Sequence, residues 1–326
     1  MLKTKGLPNC GDTCYFNSFL QLFFNIKEIQ EYFDIYITIE TEDKNDNESE
    51  LILILNSLYI IYEFIIKDNK LNKNSSNHII TQTIQNILDL KFTNIGIHQD
   101  SIEVFNKLIS KFIVNDIKNI FLKYFSDILK ELFTNKNICN DKDIYNISYS
   151  FDETNFKNIN LIDKIFTIDN SLKYNYEYYK QVDIDIKSKY LIISFRSTTY
   201  EIIDYETIKL EKSFNINNLN YKIKGIIIHT GDTIQSGQYY YLNFENDICT
   251  KYDDINIEDN YILIEKDDKY IFDNSNQPVI IIYEKKDIFN PTIITNSYYK
   301  PIHINKIYKL KCLIDKHFSR LEKLDK

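Results

Sequence analysis

The chain has 326 residues, 44% of them hydrophobic and 26% charged, with a formal net charge of −8. That length supplies enough apolar side chain for one large domain or two closely joined ones, and the acidic balance gives no electrostatic case for a nucleic-acid partner. Five cysteines, at 10, 14, 139, 249 and 312, form no Cys-x-x-Cys pair, which argues against a zinc ribbon or thioredoxin-type motif; with no signal peptide, they place the protein inside the cell, in cytoplasm or nucleus.

Residues 1–13 are turn-rich, with Gly6, Pro8 and Gly11. From Cys14 onward, Phe16, Phe19, Leu20, Phe23 and Phe24 recur at helical spacing, predicting an amphipathic helix with Cys14 in its first turn. Residues 41–50 (TEDKNDNESE) read as a solvated loop. The apolar run 51–66 falls short of the ~20 residues a membrane span needs, and it contains Asn56 and Glu63. It reads as a buried core helix, and no membrane partner is expected. Further helical patterns occupy 79–90, 100–113 and 116–134.

Beyond 135 the pattern changes to short β-rich runs, near 145–151, 162–168, 181–186, 189–196, 201–210, 221–229, 238–244, 260–265 and 278–284. Polar turns separate them, as in an antiparallel sheet system. Helices followed by strands predict an α+β fold. Residues 304–324 carry the pattern of a basic helix.

The first block with chemical content is Gly6-Leu7-Pro8-Asn9-Cys10-Gly11-Asp12-Thr13-Cys14-Tyr15-Phe16-Asn17-Ser18, then Leu20-Gln21. A cysteine at a helix N-terminus has its thiolate stabilised by the helix dipole and unpaired backbone N–H groups. Asn9 can offer a side-chain N–H to an oxyanion, as acyl transfer requires. Taken alone, a cysteine on an aromatic helix is more often a buried structural residue. The whole string, however, resembles the Cys box of the ubiquitin-specific proteases, Gly-Leu-x-Asn-x-Gly-Asn-Thr-Cys-Tyr-x-Asn-Ser-x-Leu-Gln, with Asp12 the visible departure.

Three further blocks follow in that family's order. His98-Gln99-Asp100-Ser101-Ile102-Glu103 is similar to its Gln-Gln-Asp-Ala-x-Glu element, and also reads as an N-capped helix start. Tyr190 to Arg196 resembles the strand that ends in Leu-Lys-Arg-Phe. Tyr221 to Gly231 resembles the Tyr-x-Leu…His-x-Gly strand, followed by Gly237-Gln238-Tyr239 where relatives carry Gly-His-Tyr, by Lys251-Tyr252-Asp253-Asp254, and by the closing strand Pro278 to Glu284.

The resemblance implies a papain-like fold over 1–290: a helical thumb (1–135), reduced fingers (136–188) and an antiparallel β palm (189–290), with 291–326 as a C-terminal extension. It also implies a deubiquitinating thiol hydrolase acting on ubiquitin or ubiquitinated proteins without a cofactor. Cys14 would be the nucleophile, Asn9 the oxyanion donor and Asp253 the third catalytic residue, with Gln99, Asp100 and Tyr239 binding the ubiquitin tail. Relatives often hold zinc in two Cys-x-x-Cys knuckles of the fingers. Here that stretch contains Cys139 alone, so metal-free fingers are expected.

The departure is Gln238, in the position of the catalytic histidine. Thiol proteolysis needs a base to form the thiolate and an acid to protonate the leaving amine. A glutamine amide does not titrate near neutral pH and serves as neither. Activity is therefore expected to be weakened or lost, the alternative being a ubiquitin-binding pseudoenzyme or scaffold. His229 and His98 are the histidines that the resemblance brings near the cleft, and each reads more readily as structural than as a replacement base.

Overall fold

The structure is a computed structural model, and it describes residues 4–36, 47–66, 73–88, 101–113, 117–137, 142–144, 147–151, 158–160, 184–186, 188–197, 207–216, 219–233, 236–273 and 275–286. The helices come first: α1 (Cys14–Phe24), α2 (Lys27–Ile35), α3 (Asn47–Ile66), α4 (Lys73–Ile87), α5 (Ser101–Phe112) and α6 (Ile120–Phe133). Every residue of α1 is buried. Its phenylalanines interlock with those of neighbouring helices, Phe23 edge-on to Phe125 and Phe19 edge-on to Phe105. Fully burying each such ring contributes about 1.5–3 kcal/mol, so packing, more than helix propensity, holds this layer.

Helix α3 is long and apolar enough to cross a membrane by length and composition, and 56% of its most apolar window is buried. Ile54, Leu55, Leu58, Ile61, Tyr62 and Ile65 all enter the core. Glu50 at its start pairs with Lys111 of α5.

The strands follow: β1 (Asn135–Asn137), β2 (Lys142–Ile144), β3 (Ile147–Phe151), β4 (Asn158–Asn160), β5 (Ile184–Asp185), β6 (Tyr190–Ser197), β7 (Thr207–Glu211), β8 (Ser213–Ile216), β9 (Leu219–Thr233), β10 (Ser236–Glu245), β11 (Ile248–Asp253), β12 (Asn256–Asp259), β13 (Glu265–Lys266), β14 (Lys269–Phe272) and β15 (Gln277–Lys286). The largest sheet runs β12-β11-β10-β9-β15-β6-β3, with β8 added to β9. Its pairings are antiparallel except β3 with β6; β4 also lies parallel to β7 in a smaller sheet. One face of the large sheet (Ile227, Tyr239, Tyr241, Tyr252, Ile280, Ile282) closes the helical core, while Ile226, Ile228, Tyr240, Leu242 and Ile281 build a second core behind it. The α+β architecture expected from the pattern is thus present.

One predicted strand is corrected. Residues 260–265 alternate as a strand should, with Tyr261 and Leu263 packed on the second core while Ile262 and Ile264 are 90% and 68% exposed. They form no ladder before β13, because the backbone there is tied only at isolated points, Tyr261 N–H to Cys249 and Ile271 N–H to Ile264. Conversely, β11 and β12 are strands that the expected runs do not include. The predicted strand at 162–168, residues 41–46 of the loop predicted at 41–50, Cys139 and the basic helix at 304–324 lie outside the described residues. The rest of that loop is corrected: residues 47–50 are the first turn of α3, held there because Glu48 accepts the Lys118 and Asn119 N–H groups and Glu50 pairs with Lys111.

Helices and sheet are fastened at their far end by an ionic seam. Glu28 of α2 pairs with Lys189 and accepts the Tyr190 hydroxyl at 3.0 Å. Glu284 of β15 takes Lys286 at 2.5 Å and lies 3.9 Å from Lys189. Lys224, 6% exposed, is buried among Glu284, Glu245 and Glu28, and desolvation pushes its pKa down.

Candidate functional site

Cys14 opens α1, and the turn before it is built by its own side chains. Gly11 (φ +82°) and Asp12 (φ +51°) reverse the chain. The Asn9 side-chain oxygen accepts the Gly11 N–H at 3.0 Å, and the Thr13 hydroxyl accepts the Cys10 N–H at 3.0 Å. This Asx-type closure aims the helix start, with Cys14 on it, at the sheet. The thiol is 2% exposed.

From the sheet side, β9 and β10 pair so that Gln238 faces Thr230 and Tyr239 faces His229. Gly237 permits this closeness: a Cβ there would lie 1.9 Å from the Thr230 carbonyl oxygen and 2.8 Å from His229 Nε2, at a φ of +138°. The buried His229 ring packs on Tyr239 with centroids 4.6 Å apart. Tyr239 reaches Cys14 through a backbone hydrogen bond.

The centre of the constellation is Asp254, in the two-residue turn between β11 and β12. Its Oδ2 accepts the side-chain amides of Gln238 at 2.7 Å and Asn9 at 2.8 Å, and its Oδ1 accepts Asn17 Nδ2 at 2.8 Å. Its backbone carbonyl accepts the Leu7 N–H at 2.9 Å. Asp254 holds the left-handed conformation (φ +51°), uncommon for a residue with a side chain. Gly6 is what lets the N-terminal segment lie on this turn, since a Cβ there would come within 2.5 Å of the Ile255 backbone. Asp253 plays a smaller part. It takes Gln238 Nε2 at 3.2 Å on one oxygen and pairs with Lys251 at 3.1 Å on the other.

The electrostatics follow from that list. The Cys14 thiol is pushed above its ordinary pKa, first by burial and further by the Asp254 charge, against the lowering effect of the Tyr239 backbone hydrogen bond. A nearby imidazolium would offset a carboxylate, whereas the three amides donate hydrogen bonds without adding positive charge. Among the described residues the histidines are His78, exposed on α4, and His229. The site therefore presents a protonated thiol, an oriented amide at Asn9 and two carboxylates, with a non-titrating group between them.

The structure thus gathers Cys14, Asn9, Gln238, Asp253 and Tyr239 in one place. Gln99 and Asp100 lie outside the described residues, directly before α5. Ser101, which follows them, is anchored to α1 by its hydroxyl on the Tyr15 carbonyl at 2.9 Å. Sequence reasoning passed over Asp254, Asn17 and Gly6 as contributors to the site. Asn17 and Gly6 stood as fixed positions of the Cys box and Asp254 as the second half of an aspartate pair, which was the available signal.

With this geometry in view, the comparisons with known proteins are specific. The family model for ubiquitin carboxyl-terminal hydrolase matches residues 5–283. Among solved structures the chain is similar to the SAGA Ubp8/Sgf11/Sus1/Sgf73 DUB module, at 15% identity and TM-score 0.57, over 87% of this chain and 68% of that one. It is similar to the same module bound to ubiquitin aldehyde, at 15% identity and TM-score 0.53, over 87% and 70%. A third similar structure is described as an essential yeast splicing factor, at 12% identity and TM-score 0.56, over 87% and 69%. At such identities the likeness is one of fold. Comparison with curated proteins by sequence gives no match.

Proposed function

Because the chain belongs to the ubiquitin carboxyl-terminal hydrolase family, we propose that it takes the C-terminal tail of ubiquitin into the Cys14 cleft, as a thiol hydrolase whose turnover Gln238 holds down. The observation that carries this reading is the double hydrogen bond from Gln238 Nε2 to Asp254 and Asp253. The side chain occupies the place of an acid–base group and keeps its connections without its proton chemistry. A similar structure that holds ubiquitin aldehyde supports ubiquitin as the ligand. On this reading residues 1–290 form the catalytic unit, and Gln99, Asp100 and Tyr239 receive the tail.

In the proposed reaction Cys14 Sγ adds to the carbonyl carbon of the terminal glycine, and its proton must leave as it does so. An amide NH2 has two hydrogens; Asn9 gives one to Asp254 and has the other for the oxyanion. The leaving lysine amine must then gain a proton before the C–N bond breaks, and water afterwards frees the acyl group from sulfur. Gln238 assists neither proton transfer. Loss of a positioned acid–base group lowers a rate by about 10²–10⁴. A second reading, a ubiquitin-binding scaffold with no turnover, is favoured by the raised thiol pKa.

The test compares the natural chain, Cys14→Ala and Gln238→His, using ubiquitin with a C-terminal electrophile and a ubiquitin–fluorophore amide. We expect slow labelling of the natural chain, none of Cys14→Ala, and amide turnover raised about 10²–10⁴-fold in Gln238→His. Equal turnover by the natural chain and Gln238→His would refute the role given to Gln238.

A further inference from the structure

Directly beyond Asp254, the rim of the cleft becomes an open sheet edge. Asp254 and Ile255 form the two-residue turn of a hairpin that closes on Asp253 opposite Asn256. Such a hairpin closes on a hydrogen-bonded pair, so Asn256 and Glu258 turn their N–H and C=O groups to β11, and Ile257 turns its own outward. Among the described residues no strand pairs beyond β12. Ile255 at the tip is 58% exposed, and Asn256, Glu258 and Asp259 are exposed along the strand. Edges of this kind are templates for an added strand.

The charge of this edge selects what can be added. Glu258 and Asp259 lie along it, and Asp253 and Asp254 stand at its start. The cation of β11, Lys251, is held on Asp253 and over the Tyr240 ring at 4.2 Å. A second copy of the chain, with its net charge of −8, would bring like charge to like. A basic segment is complementary.

Resting on the reading that the cleft receives a ubiquitin tail, we infer that β12 docks the protein to which ubiquitin is attached. An extended, lysine- or arginine-rich segment beside the modified lysine adds to the β12 edge, main chain against main chain, with an apolar side chain against Ile255. If the tail enters past Tyr239 and the start of α5, the attached protein meets the remaining rim, which the Asn9–Asp12 turn and this hairpin supply. The edge thus gives preference among conjugates without touching the ubiquitin part.

The experiment uses the full chain carrying Cys14→Ala, so that nothing is cleaved. Fluorescence anisotropy measures its affinity for free ubiquitin and for two conjugates. In both, ubiquitin is joined through an isopeptide bond to a short peptide, flanked by lysines in one and by glutamates in the other. We expect the basic conjugate to bind about fivefold tighter than the acidic one at low salt, converging at about 0.5 M salt. Glu258→Lys with Asp259→Lys should abolish that ratio, and Ile257→Pro should weaken both conjugates, while free ubiquitin binds all variants alike. Equal binding of the two conjugates, or a ratio unchanged by the double lysine variant, overturns the inference. So does a concentration-dependent dimer that Ile257→Pro dissolves, since a second copy would then be the occupant. Failure of free ubiquitin to bind would remove the ubiquitin reading and this inference together; free ubiquitin binding beside indifferent conjugates removes this inference alone.

Discussion

Among the described residues, polar side chains tie the helical layer to the sheet at a far seam and at the cleft, and the chemistry of these two ties is opposite. At the far seam, Glu28 meets Lys189 and the Tyr190 hydroxyl, and Glu284 meets Lys286, so negative charge is matched by positive charge. At the cleft, Asp254 is met by the uncharged amides of Asn9, Asn17 and Gln238. Both arrangements satisfy their carboxylates and can carry structure. The second leaves negative charge beside Cys14, and none of the groups bonded to Asp254 exchanges a proton near neutral pH. The two ties therefore resemble each other as structure and differ in the protons and charges they offer.

Substitutions at the two ties should separate strength from chemistry. The largest loss of stability is expected for Glu28→Ala, which takes the nearer carboxylate from the mostly buried Tyr190 hydroxyl and from Lys189 and leaves both to the more distant Glu284. About 2–3 kcal/mol should disappear from the urea unfolding free energy, with no change in the pH dependence of Cys14 alkylation. Gly6→Ala should cost about 2 kcal/mol by driving a methyl group into the Ile255 backbone. Unlike Glu28→Ala it should also disturb the cleft, because the displaced turn carries Asp254. An unchanged alkylation profile in Gly6→Ala would separate Gly6 from the site.

The effect read most directly at Cys14 is expected from Asp254→Asn, which removes a charge and also costs its amide partners one acceptor oxygen. Cys14 is protonated below its raised pKa and reacts faster as pH climbs through it. Removing the negative charge that opposes the thiolate should move the iodoacetamide profile to lower pH, while burial keeps it above that of a free thiol. Asp253→Asn, whose carboxylate is already paired with Lys251, should leave the profile in place. If the two substitutions shift it equally, the ranking of the two aspartates is wrong.

Much of this was legible from local pattern. The aromatic spacing after Cys14 located α1, but not its surroundings: the polar residues Asn17, Ser18 and Gln21 are buried as well, so the helix has no solvent face and is not the amphipathic one the spacing predicts. The runs at 221–229 and 238–244 located β9 and β10, whose apolar residues alternate between two cores. The same rule failed at 260–265, where an alternating run is half packed yet finds no neighbouring strand, and at β11–β12, where the polarity that suits an exposed edge hid the hairpin.

By itself, then, the sequence determined the helices-then-strands order of elements, the cysteine at a helix start and the glutamine that the structure sets beside the aspartate pair. Only the tertiary structure decided which aspartate gathers the site. Asn9 and Asp254 are 245 positions apart, and neither helical nor strand periodicity relates residues at that distance. Their meeting depends on the N-terminal segment lying across the β11–β12 turn, which Gly6 alone leaves room for, and on a left-handed backbone at Asp254 that turns its carboxylate back toward α1.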